Sequence, residues 1–213
     1  MIEYHKISAP FKRDDTGSKK LLEGVFIDET VEFLKDQQWQ CTEKIDGTNI
    51  GIIWDGHRVR CQGRTENTQI PSKLMNKLLE LFGTSESEEL FEQKFGEMPV
   101  VLFGEGYGTG IQKGGGNYRN DVSFILFDVY LPNDQMFLKR ESVEDIAKAF
   151  SVDCVPIIMT GTLQEAIDYV KQKPKSTIGT ANMEGLVCRP VVELRDRRGR
   201  RIITKIKVKD FAV

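Results

Sequence analysis

At 213 residues the chain is long enough to bury one sizeable core and short for two independent domains, so a single domain over residues 1–213 is expected. With 39% hydrophobic and 29% charged residues and no apolar run able to span a bilayer, it reads as an ordinary soluble protein with no membrane role. A formal net charge of -2 gives no bulk reason to expect a polyanionic partner.

The N-terminal MIEYHKISAPFKRDD has neither the apolar centre of a secretory signal nor the acid-poor pattern of a transit peptide, which points to a cytoplasmic protein. Cys41, Cys61, Cys154 and Cys188 are scattered without CxxC spacing and read as small buried hydrophobes rather than a zinc site or a disulfide framework. Ile50, Ile52 and Trp54 alternate with other residues and run into Asp55-Gly56, a hairpin turn before a return strand over 57–63. Leu74, Met75, Leu78, Leu79 and Phe82 recur at the spacing of one buried helical face, and 85–95 is a second, more charged helix.

Residues 99–104 and 122–130 read as strands apolar on both faces, with a glycine-rich segment between them. Residues 142–150 and 163–171 are predicted surface helices, the first capped by Ser142, and 184–190 and 202–208 are the last two strands. Strands with helices interspersed, and hairpin signals between strands, predict an α+β domain built on antiparallel sheets.

The sharpest local feature is Glu43-Lys44-Ile45-Asp46-Gly47-Thr48-Asn49, placed where one strand ends and another begins. A bare KxDG arises by chance in about one chain of this length in twenty, and a lysine between two acids is by default a solvated charge cluster. What lifts the motif above that is company, in sequence order: Gly63-Arg64, then Phe103 to Gly108, then Phe124 to Tyr130, then Glu184-Gly185, then Lys205-Ile206-Lys207.

With these motifs, from about Trp39 to Phe211, the chain resembles the ATP-dependent nucleotidyltransferase superfamily of DNA ligases, RNA ligases and capping enzymes, and is most similar to its bacteriophage RNA ligase 2-like branch. The resemblance implies an ATP-grasp-like ligase fold with antiparallel sheets flanked by helices, ATP and Mg2+ as cofactors, and nucleic acid ends or nicks as substrate. It implies that the Lys44 amine attacks the α-phosphate of ATP, that AMP passes to a 5′-phosphate end, and that a 3′-hydroxyl then displaces it. The amine has to be neutral to attack, which suits lysine because its proton is readily lost on desolvation or beside another cation. Glu43 and Asp46 would oppose that, so a metal ion or the final lysines must offset them.

The same resemblance assigns Glu43 to the adenine edge, Glu105 to the ribose hydroxyls, and Asp46 and Asn49 to the nucleotide site. Arg64 is assigned to a phosphate, where a forked guanidinium outperforms a point charge. Of two aromatics for stacking on the base, Phe127 is preferred over Phe124, because Asp128 follows it directly; alternation puts the two on opposite faces, with Phe124 in the core. Glu184 is the expected magnesium ligand. Lys205, Lys207 and Lys209 would share one face of the final strand and leave the register of the KxK pair ambiguous; Lys207 is the first choice and Lys205 the second.

The stretch 106–116 lacks the GxxxxGK[ST] spacing of a phosphate loop and is expected to be a flexible loop carrying a solvated Lys113. Nine basic residues fall between Arg189 and Lys209, five of them from Arg195 to Arg201, which suits nucleic-acid phosphates and equally a solvated hairpin tip. Only Ala212 and Val213 follow Phe211, so no C-terminal OB domain is expected; residues 12–20, the Lys113 loop and the arginine strip are the expected substitutes for phosphate binding.

The motifs do not identify the sugar, so a DNA nick ligase stands beside an RNA ligase. A capping-type guanylyltransferase and a non-catalytic nucleotide-binding module are the readings from other classes. No partner protein is evident, and the expected state is a monomer.

Overall fold

The computed structural model describes residues 2–65 and 67–211; Ala212 and Val213, on which the expectation about the chain's end rests, lie outside them. The first half of the chain forms β1 (Phe11–Arg13), β2 (Leu21–Phe26), α1 (Glu29–Leu34), β3 (Trp39–Lys44), β4 (Thr48–Trp54), β5 (Val59–Gln62), α2 (Ser72–Phe82) and α3 (Ser85–Phe95). There follow β6 (Val100–Gly108), β7 (Val122–Leu131), β8 (Met136–Phe137), α4 (Arg140–Ala149), β9 (Asp153–Cys154), β10 (Ile157–Gly161), α5 (Leu163–Lys171), β11 (Gly185–Pro190) and β12 (Thr204–Lys207). The chain divides into two compact units, Met1–His5 with Asp46–Val155, and Lys6–Ile45 with Pro156–Val213.

The first unit is a sheet in the order β5-β4-β6-β7-β8 with antiparallel neighbours, and β9 lies parallel to β7. Leu74, Leu78 and Phe82 recur every fourth residue on α2 and are fully buried against Ile50, Ile52, Leu102, Phe124 and Leu126 of the strands. Leu79, expected on that face, is instead 51% exposed, because it falls on the opposite side of the same helix. Thr84 and Ser87 close a capping box that starts α3, and Phe91 stacks on Trp54 beneath it. β6 runs four residues past the expected end, to Gly108, because β4 pairs with it as far as Gly106 and β7 as far as Gly108.

One irregularity decides which side chains face which way. Phe103 pairs with Asp128 and Gly104 with Leu126, so Phe127 is the extra residue of a β-bulge in β7. The bulge resets the alternation: Phe124, Leu126, Val129 and Leu131 all enter the helix-covered core, while Phe127 and Asp128 do not follow a simple two-residue period.

The second unit is a sheet in the order β10-β3-β11-β12, all antiparallel. Its core joins Trp39, Cys41, Leu186, Cys188 and Ile206 to Leu163, Ile167 and Val170 of α5, a helix started by a Thr162–Glu165 capping box. Cys41 and Cys188 face each other across β3 and β11 as free, fully buried thiols, and burial together with the neighbouring Cys41 thiol pushes that of Cys188 far up. Cys61 and Cys154 are partly buried.

The predicted Ser142 cap is corrected: α4 begins at Arg140 with Lys139 before it, and Ser142 lies inside the helix. Arg140 anchors that earlier start by pairing with Glu144 at 2.7 Å and donating to the Val155 carbonyl at 2.6 Å. The α+β architecture of antiparallel sheets with flanking helices is as expected, and no helix among the described residues is long and apolar enough to cross a membrane.

Candidate active site

Lys44 is the last residue of β3, and the ladder fixes its neighbours. Gly185 is opposite Lys44 on β11 and opposite Lys207 on β12, so the two lysines flank the residue that follows Glu184. Gly185 is what lets the strands close here: a Cβ at this position would lie 2.0 Å from the Ile206 carbonyl oxygen and 2.8 Å from Lys207 Cα. The Glu184 carboxylate then takes both lysines, with Lys44 Nζ 2.7 Å from Oε2 and Lys207 Nζ 2.6 Å from Oε1.

All three side chains are mostly buried, at 22%, 17% and 17% exposure for Lys44, Glu184 and Lys207. Burial pushes the Glu184 carboxyl up, and the two ammonium groups outweigh it, so the carboxyl is held below its ordinary value. Three charges with a net of +1 in a part-dry setting make a site for an anion that can compete with Glu184 for the lysines.

Lys205 lies two residues before Lys207 on β12 and is half-buried. Lys209 is corrected: β12 ends at Lys207, and Val208–Asp210 is a turn of 3-10 helix, which takes the exposed Lys209 off the strand face. The strand pair is therefore Lys205 and Lys207.

Glu43 is adjacent to Lys44 in sequence and opposite to it in space. It has the parity of Trp39 and Cys41, the core face of β3, and is 1% exposed. Its carboxylate accepts from Ser176 Oγ, from the Thr177 backbone N–H at 2.9 Å and from Thr177 Oγ1 at 2.6 Å. Strand alternation turns the Glu43 carboxylate to the other side of the sheet from Lys44.

In the first unit, Asn49 on β4 is directly opposite Glu105 on β6, and both are part-exposed. The ring of Tyr4 touches both Phe103 and Phe127, at centroid distances of 5.0 and 5.1 Å, which puts the half-buried Phe127 on the Phe103 and Glu105 side of the sheet. Phe124 is fully buried and packs edge-on against Phe82 in the core. Tyr4, unremarked in the sequence, also donates its hydroxyl to Asp128 at 2.7 Å.

Asp46 is exposed, and Gly47 is held tightly: a Cβ there would lie 2.3 Å from the Gly106 carbonyl oxygen. Two residues of the glycine-rich segment clamp this turn. The Asp46 N–H donates to the Tyr118 hydroxyl at 3.2 Å, and Gln112 Nε2 donates to the Gly47 carbonyl at 2.9 Å. The expected flexible loop is thus a folded one, with a turn of 3-10 helix at Gly115–Asn117. Arg64 and Lys113 are both exposed, Arg64 in the bend after β5. In the N-terminal segment, Arg13 is neutralised by Asp210 at 2.8 Å.

Among the described residues no group of three or more His, Cys, Asp and Glu side chains could hold a metal ion. A single carboxylate, such as that of Glu184, is within what magnesium needs, since it binds through one or two carboxylates and completes its shell with water and substrate phosphates.

Residues 37–207 match the protein family described as RNA ligase. Solved structures of Naegleria gruberi RNA ligase share the fold. An arginine-to-alanine mutant with ATP and Mn has a TM-score of 0.69 at 18% identity over 97% of this chain and 56% of that one. A lysine-to-alanine mutant with ATP and Mn has a TM-score of 0.65 at 19% identity over 85% and 54%, and the enzyme with PPi 0.64 at 20% over 84% and 51%. The chain spans about half the length of these solved structures, and at such identity the likeness is one of fold.

Proposed function

The chain belongs to the RNA ligase family, and from that premise we propose that it is an ATP-dependent RNA ligase that joins 3′-OH and 5′-phosphate ends through AMP carried on Lys44. The observation that carries the reading is the pairing of Lys44 and Lys207 with one carboxylate, Glu184. Since the matched span runs through both compact units, they are read together as one adenylation domain.

In the proposed reaction Lys44 leaves Glu184, gives up a proton and attacks the α-phosphate of ATP; the N–P bond forms as the bond to pyrophosphate breaks. Lys207, still charged, stabilises negative charge that grows on the phosphate oxygens, with Lys205 as the second cation of the strand. Magnesium, held by Glu184 and the phosphates, would supply further charge neutralisation. AMP then moves from Lys44 to the 5′-phosphate end, and the 3′-hydroxyl oxygen displaces it.

Asn49 and Glu105, opposite each other on adjacent strands, are proposed for the ribose, with Asp46 beside them in the clamped turn. Phe127 is proposed for the base and Arg64 for a phosphate. The Glu43 carboxylate is committed to Ser176 and Thr177 on the other side of the sheet from Lys44, so it is proposed to hold β3 in place rather than to meet the adenine through its side chain.

Label transfer to the protein from α-labelled ATP, compared with α-labelled GTP, tests the first step. An ATP-specific, acid-labile adduct supports the reading, and a GTP adduct would replace it with cap formation. Sealing of nicks that differ only in ribose or deoxyribose on each side then reports the sugar, with RNA ends expected to be preferred.

A further inference from the structure

The segment from 191 to 203 that joins β11 to β12 has no task in the chemistry above, yet it is built. Arg195 and Arg201 face each other across an antiparallel bridge, and Gly199, at φ +75°, turns the tip. Within that turn the carboxylate of Asp196 accepts from the backbone N–H of Arg198 at 2.8 Å and of Arg200 at 2.9 Å, and from the Arg200 guanidinium Nε at 2.7 Å. The one acid of the turn is consumed in holding it closed.

What remains faces outward. Arg197 and Arg198 are exposed at the tip, and among the described residues no hydrogen bond or ion pair engages their guanidinium groups. Residues 195–201 hold five arginines and one aspartate, a charge of +4, on a chain whose total is -2; the other residues therefore sum to -6. Net positive charge is thus concentrated in this finger, and it is guanidinium, whose planar fork matches phosphate oxygens, rather than ammonium.

We propose that this hairpin grips the phosphodiester backbone of the RNA strand being joined, without reading its sequence. The hairpin continues directly into β12, and nine residues separate Arg198 from Lys207, a reach of at most about 30 Å, so one polyanion can engage both. Contacts of this kind set position and affinity and carry no base information. The identity of the strand as RNA rests on the function proposed above; the phosphate-binding role of the hairpin does not.

The test is equilibrium binding of a fluorescein-labelled nicked RNA duplex by the full chain, wild type against the double variant Arg197→Ala with Arg198→Ala, across about 50 to 200 mM salt. Loss of two phosphate contacts should lower the slope of log Kobs against log salt by about 1.4–1.8, whereas Arg197→Lys with Arg198→Lys should keep most of it. Adenylylation by ATP alone should be unchanged in both. A nicked DNA duplex should show the same loss of slope, because the sugar is not read. An unchanged slope in the alanine variant overturns the proposal, as does a loss of binding confined to anionic phosphatidylserine vesicles, which would make the finger a membrane contact. If the wild type forms no adduct and the slope still falls, the hairpin role stands and the ligase reading fails.

Discussion

Lys44 and Lys207 grip opposite oxygens of one carboxylate, at 2.7 and 2.6 Å from Glu184, although 163 positions of sequence separate them. The register Lys44, Gly185, Lys207 across three adjacent strands makes this arrangement a property of the sheet rather than of flexible side chains.

Lys44→Ala should abolish the covalent AMP adduct, since no other amine takes its place in the ladder. Lys44→Arg should be equally inactive, because arginine keeps its proton at working pH. Labelled-ATP transfer followed by denaturing gels reads both, and an acid-labile adduct in either variant would remove Lys44 as nucleophile.

Lys207→Ala should lower the rate of adenylylation tenfold or more, with the fold retained, because its role is to oppose charge that grows on phosphate. Lys205→Ala should cost less, and Lys209→Ala almost nothing, given that Lys209 has left the strand. Single-turnover adenylylation of the three variants gives the order directly; a dominant effect at Lys209 would contradict it.

Glu184→Gln should make stability differ from wild type in a pH-dependent way. The Glu184 carboxyl is held below its ordinary value of 4.5, so its contribution is present above that value and is lost as pH falls through the lowered folded-state value. The gap in melting temperature between wild type and variant should therefore be widest near neutral pH and close in acid. A gap that stays constant into acid would mean that the ion pairs add nothing to folding.

Glu43→Ala should destabilise the protein by about 1–3 kcal/mol, because the Thr177 N–H and two hydroxyls lose a buried acceptor. Urea unfolding measures this, and a shift well under the lower bound would show the Ser176–Thr177 segment to be held by other means.

Gly185→Ala should cost about 1–3 kcal/mol and impair adenylylation together, since the added methyl sits where β12 now packs. Denaturation and adduct formation on the same preparation separate the two effects; full activity in a destabilised variant would show that Lys207 keeps its place without the close approach.

How much of this was legible depends on the range of the interaction. Lys44, Glu184 and Lys207 carry their chemistry in their residue types and order, and the helices at 72–82 and 163–171 in their spacing, so these could be read directly. The inward turn of Val129 and Leu131 could not, because the bulge at Phe127 is set by the pairing of β7 with β6 and leaves no local mark. The strands at 11–13 and 21–26 are short, and the second has apolar residues on both faces with Gly24 at φ +87°, so they carry no alternation to find. Tyr118 and Gln112 reach residues more than sixty positions away, which only the folded loop reveals. The direction of Glu43 followed from alternation alone, and adjacency to Lys44 obscured it.

The unit that carries Lys44 is drawn from both ends of the chain, with residues 46–155 contiguous in the other. During synthesis the inserted unit can bury most of its core as soon as residue 155 has emerged, whereas β3 must wait with unpaired edges until β10 and β11 are made. Lys44 is thus among the early residues translated while its counter-charge comes 140 positions later, and a nascent chain cut short before Glu184 leaves Lys44 with no carboxylate to hold. Long-range pairing of this kind makes this sheet the slower of the two to fold, and ties the joining of Lys44, Glu184 and Lys207 to the synthesis of β11 and β12.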